Sequence, residues 1–69
     1  MTQTEKVMKY MEQYGSITSA EALSELGIMR LASRISDLKQ MGVEVKSVLI
    51  KGKNRFGEPI RYARYFIAK

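Results

Sequence analysis

Arg30, Ser33 and Arg34 fall within five positions of one another, and Lys51, Lys53, Asn54 and Arg55 form a second cationic cluster. Arg and Lys side chains pair with phosphate oxygens, and the Arg fork also matches the acceptor edge of guanine. Thr18 and Ser19 stand where a helix would open, so their N–H groups and the positive end of the helix dipole suit a phosphate. Arg61 and Arg64 extend the second cluster along the chain. The chemistry these residues offer is anion recognition. With no His and no Cys, the chain lacks the commonest general base, the thiol nucleophile and the usual zinc ligands. No catalytic residue, metal ligand or cofactor is therefore expected.

Other motifs are weak. Gly52 and Gly57 have the spacing of a phosphate-binding loop, but Glu58 follows in place of Lys and Ser or Thr. Glu21 and Glu25 share a helix face with no titrating partner, which suits a solvated face better than acid–base work. A small nuclease is a remote reading for the same reasons. Phe56, Tyr62, Tyr65 and Phe66 interleave with Lys and Arg, as stacking on single-stranded nucleic acid would need. In a chain with two Phe and no Trp, most of these rings are expected in the core.

Charge is asymmetric. Of the net +5 in 69 residues, residues 1–27 hold two Lys against four Glu. Residues 28–69 hold ten Lys or Arg against Asp37, Glu44 and Glu58. An anion-binding surface therefore belongs to the C-terminal part. A basic face kept only for solubility is the bland alternative.

The elements that position these residues can be read from capping and period. Thr2 with Glu5, and Thr18 with Glu21, have capping-box spacing, and they predict helices over 3–14 and 19–26. Val7, Met8, Met11 and Tyr14 mark the inner stripe of the first helix; Ala22, Leu23 and Leu26 mark that of the second. Gly15 and Gly27 are the expected stops. Ile28, Leu31, Ile35 and Leu38 repeat at helical steps and predict a third helix over 29–41, ended by Gly42. Its opposite side carries Arg30, Ser33, Asp37 and Gln40. Lys39 falls on the apolar stripe, its stem covering apolar surface. Ser16–Thr18 is a short link able to form a single bridge.

From Val43 the period changes. Residues 43–50 alternate and read as a strand, Lys51–Pro59 as a basic loop, and 60–68 as a returning strand. The expected inward pairs set Val43 and Val45 opposite Tyr65 and Ile67. The fold class is α+β: three helices followed by a two-stranded antiparallel hairpin over about 43–67, in one domain over 1–69. This is the element order of a winged helix-turn-helix.

The stretches Gly15-Ser-Ile-Thr18, Glu21-Ala-Leu23, Leu26-Gly-Ile-Met-Arg-Leu31, Arg34-Ile-x-Asp-Leu38 and Gly42 resemble the short winged helix-turn-helix proteins common in phages and prophages. The resemblance covers about residues 5–50, with Arg64-Tyr65 fitting more loosely. It implies binding of double-stranded DNA, with the third helix as the recognition helix. Repressors, excisionases and other accessory factors use such modules alike, so the role stays open between them.

On that reading Arg30 touches a base edge, and Ser33 reaches a base or phosphate one turn on. Arg34 either contacts DNA or pairs with Asp37 within the helix. Thr18 and Ser19 hold a phosphate. Lys51, Lys53, Asn54, Arg55, Arg61 and Arg64 line a hairpin that meets phosphates or the minor groove. One module reads only a short half-site, so a weak homodimer or cooperative assembly on DNA is a further expectation. A protein-binding module acting on a host factor or nucleoprotein complex is the rival function. No segment is apolar enough to span a bilayer or serve as a leader, so a cytoplasmic protein is expected, with transcription regulation as its setting.

Overall fold

Each of the first two helices opens with a reciprocal cap. In the computed structural model, which describes residues 1–68, α1 spans Gln3–Tyr14. The Thr2 hydroxyl accepts the Glu5 N–H at 3.1 Å, and the Glu5 carboxylate accepts the Thr2 N–H at 3.1 Å. This pairing holds the Glu5 carboxyl below its ordinary range. The same device opens α2, Ser19–Leu26, where Thr18 caps Glu21 and Glu21 caps Thr18. Each box satisfies N–H groups that the first turn of a helix leaves without partners.

Gly27 stops α2 at φ 69°, and the N–H groups of Gly27 and Ile28 return to the carbonyls of Leu23 and Ala22. No atom lies within 4 Å of where a Gly27 Cβ would stand, so backbone conformation alone requires the glycine. The third helix starts later than its periodicity predicts. Residues 28–30 form a non-helical turn, and α3 runs Leu31–Gln40 with Arg30 as its cap residue at φ −113°, ψ 63°. Ile28 continues the apolar period yet is buried from the turn, which is why the pattern overran the helix. At the far end the Gly42 and Val43 N–H groups bond to Lys39 and Leu38, the double closure that a left-handed residue after a helix permits.

The core is Val7, Met11, Ile17, Ala22, Ile28, Leu31, Ile35, Leu38 and Val45, drawn from every helix and from the sheet. Two expected inward residues face out. Leu23 is 53% exposed, because Ala22 and Leu26 take the inner side of the short α2. Tyr14 is exposed and tilts onto Tyr10 with ring centroids 4.6 Å apart. Lys39 is likewise exposed.

The two-stranded hairpin is corrected to a three-stranded antiparallel sheet of order β1-β3-β2. β1, Ile17–Thr18, pairs with Tyr65 and Arg64 of β3, Pro59–Ile67. Ile17 is fully buried, and its backbone polar groups need partners there; two residues are too few to show a strand period. β2, Val45–Lys53, pairs along its length with β3. The expected pairing is corrected in register: Val45 opposes Ile67 and Tyr65 opposes Ser47, while Val43 precedes the strand and packs on the core from the loop. The expected nine-residue loop shrinks to Asn54–Glu58, because Gly52 and Lys53 pair with Ile60 and Pro59. Proline is compatible with this place as the first residue of its strand.

Candidate nucleic-acid interface

The first candidate surface lies at the head of α3. Gln3, Gly27, Met29, Arg30, Ser33 and Arg34 line one cleft between the N-terminus of α1, the α2–α3 turn and the first turn of α3. No carboxylate lines it. Arg30 is exposed, with no cap bond from its side chain, so its guanidinium is free to turn outward. Ser33 is half-buried on the same side. Gln3 is a member that sequence reasoning missed. It belongs to a different helix, and no local spacing links it to Arg34 thirty-one positions away.

Arg34 and Asp37 form the expected intrahelical pair, with Nε 3.2 Å from Oδ2. The Nε–H is not aimed at that oxygen and finds no hydrogen-bond partner among the described residues, so the contact is a charge pair without a directed bond. A long bond from Arg34 Nη1 to Gln3 Oε1, 3.5 Å, is its other contact. Asp37 is anchored from the other side by the Thr4 hydroxyl at 3.2 Å. The carboxylate is thus occupied by the fold, whereas Arg34 is held loosely.

The second surface is the β2–β3 hairpin. Cross-strand partners share a face, so Lys51, Lys53 and Arg61 share the face that carries Val45 and Ile67 toward the core. Beyond the core that face becomes cationic. Arg55 stands exposed at the tip. Gly52, Ile60, Tyr62 and Arg64 occupy the opposite face, where a Gly52 Cβ would meet Tyr62 and Ile60 at 3.7 and 3.8 Å. Tyr65 and Phe66 are half-buried, but Phe56 is 83% exposed and Tyr62 is also exposed, so the core takes fewer rings than expected.

Three of the sequence candidates spend their polar groups on partners within the chain. Thr18 is buried, and its hydroxyl caps α2. The Asn54 side chain closes the hairpin tip: its oxygen accepts the Phe56 and Glu58 N–H groups at 2.9 and 3.0 Å, and its amide donates to Glu58 at 3.1 Å. Arg64 donates to Ser16 at 2.9 Å and to Glu21 at 3.4 Å. Ser19 is exposed beside Thr18, but the Glu21 carboxylate occupies that helix start. Among the described residues, no cluster of acidic or metal-binding side chains could hold a metal, and no helix is long and apolar enough to cross a membrane.

Three helices with a glycine turn between the second and third, closed by a sheet whose last two strands project as a hairpin, define a winged helix-turn-helix. The chain matches the family model described as a winged helix-turn-helix domain over residues 2–69, and it belongs to that family. No curated protein and no solved structure matches it. Domains of this kind are typically non-enzymatic modules that bind DNA.

Proposed function

We propose that residues 1–69 are one domain that binds double-stranded DNA site-specifically, with the N-terminal turn of α3 reading base edges and the β2–β3 hairpin holding phosphates. The observation that carries this is placement. Arg30, Ser33 and Arg34 gather in a cleft without a carboxylate, and Lys51, Lys53 and Arg61 share one hairpin face. Phosphate contacts set register and most of the affinity, while base contacts select sequence. Arg30 is the base reader and Ser33 its neighbour. Arg34 leaves Asp37 for a phosphate at little cost, since an ion pair three residues apart on a helix contributes only about 0.2–0.5 kcal/mol. Lys51, Lys53, Arg55 and Arg61 are the phosphate contacts, and Ser19 offers a further one at the start of α2. Thr18, Asn54 and Arg64 support these surfaces through bonds within the chain.

The setting is a cytoplasmic transcription regulator or excisionase-like accessory factor of phage or prophage type, acting as a weak homodimer or cooperatively along DNA. Titrating mixed genomic duplex at several salt concentrations tests the core of the reading. Tight binding that weakens steeply with salt supports it; no binding at low salt refutes it.

The rival reading, a protein-binding winged helix, draws on the exposed Val48, Leu49, Ile60 and Tyr62 of the hairpin. Silence toward duplex, with retention of a host factor on the folded domain, would favour it.

A further inference from the structure

The hairpin tip does more than turn the chain. Asn54 gathers it from several directions: its side-chain oxygen binds the N–H groups of Phe56 and Glu58, its N–H bonds to the Glu58 carbonyl at 2.9 Å, and its carbonyl accepts the Gly57 N–H at 3.0 Å. Gly57 supplies the left-handed residue that closes the loop, at φ 77°. Such a turn is stiff, and it presents two side chains outward, Arg55 and Phe56. Phe56 is the most exposed of the large hydrophobic residues, at 83%. The fold makes no use of the ring, whose burial in a partner would take its apolar surface out of water.

Its neighbours indicate the partner. Lys51, Lys53 and Arg55 precede it and Arg61 follows; the one carboxylate nearby, Glu58, is engaged by Asn54. An apolar group on a hydrogen-bonded turn flanked by cations suits a partner that is anionic outside and apolar within. Duplex DNA has this character, with phosphates lining the minor groove and stacked bases beneath. Nine-residue strands at ~3.3 Å per residue give the hairpin a reach of roughly 30 Å.

Resting on the duplex-binding reading above, we propose that Phe56 is a wedge. Arg55 and Lys53 seat the tip on the phosphates of the minor groove, and the Phe56 ring enters between two base pairs, partly unstacking that step and bending the duplex toward the major groove. Apolar side chains inserted in this way bend DNA by about 20–90°, and pyrimidine–purine steps yield most easily. Phe56 thereby adds a sequence preference through deformability, at a position where no base edge is read.

End-labelled duplexes of ~30 bp, one rich in TA steps and one with those steps replaced at equal base composition, provide the probe. Energy transfer between the ends reads bending, and anisotropy on the same samples reads binding. At saturation the wild type should raise transfer more on the TA-rich duplex. Phe56→Leu, which keeps an apolar wedge, should retain most of the rise. Phe56→Ala should abolish it while leaving the melting temperature and salt slope unchanged, because an exposed, uncharged side chain has been removed. Binding by wild type and Phe56→Ala with equal energy-transfer gains, or with none in either, overturns the wedge and leaves duplex binding intact. Absence of wild-type binding to both duplexes overturns the duplex reading and the wedge together.

Discussion

Arg64 reaches Glu21 across forty-three positions, its Nη1 lying 3.4 Å from the Oε1 atom that also accepts the Thr18 N–H at 2.9 Å. One carboxylate oxygen therefore caps α2 and anchors β3 to it. The same guanidinium nitrogen donates to Ser16, the residue before β1, at 2.9 Å. The pair is about one-third exposed on both sides, so its contribution belongs near the surface range of 0.2–1 kcal/mol. Arg64→Ala is expected to lower stability by about 1 kcal/mol, counting the Ser16 bond, and to shift the melting temperature by roughly 4–8 °C. It should leave the salt slope of DNA binding unchanged. A slope reduced by about one unit would make Arg64 a phosphate contact instead.

Gly27 offers a cleaner stability test, because nothing crowds the place a side chain would occupy. Gly27→Ala should cost about 1–2 kcal/mol through the left-handed backbone alone. Gly27→Val should cost more, and Gly27→Asn less, since Asn tolerates this conformation. Urea denaturation of the three variants reads the order. Equal stability across them would mean that the turn relaxes to a negative φ.

The two DNA-facing surfaces should separate by salt and sequence. Arg30→Ala is expected to cost about 1–3 kcal/mol on a preferred duplex and much less on a scrambled one. Lys53→Ala or Arg55→Ala should weaken both duplexes alike and lower the salt slope by about one unit each. Anisotropy titrations across a salt series measure all of these. An unchanged preferred-to-scrambled ratio in Arg30→Ala, with a collapsed ratio in the hairpin variants, would reverse the roles.

Acid should erase the benefit of the first capping box. Hydrogen bonds from Thr2 to the Glu5 carboxylate favour its charged form and lower its pKa. A carboxyl depressed on folding contributes stability that is present above its unfolded value, near 4.3, and is lost as pH falls through the folded value. Glu5→Gln keeps the shape but not the charge. Its melting temperature should lie below wild type at neutral pH, and the gap should close below about pH 4. A gap that persists to lower pH would show that the charge is not what stabilises the helix.

Local chemistry was legible in the order of residues. Thr2 with Glu5 and Thr18 with Glu21 announced two helix starts, and Gly27 and Gly42 announced stops, because caps and left-handed turns depend on neighbours within a few positions. The buried stripe Ile28, Leu31, Ile35 and Leu38 was equally plain, since a period needs only spacing. The start of α3 was not, because Ile28 satisfies the same period from a turn.

Tertiary structure alone decided what each polar group was free to do. Arg64 looks like a solvent-facing contact along the chain, yet folding brings it Ser16 and Glu21, forty-eight and forty-three positions away. Gln3 joins Arg34 and Thr4 joins Asp37 because α1 packs against α3, a contact between residues more than thirty positions apart. Phe56 stays outside because strand pairing runs to Lys53 and Pro59 and carries the tip beyond the core. Spacing along a chain determines which residues share a helix face or a strand face; only the packing of those faces determines which charges are spent and which remain to meet a partner.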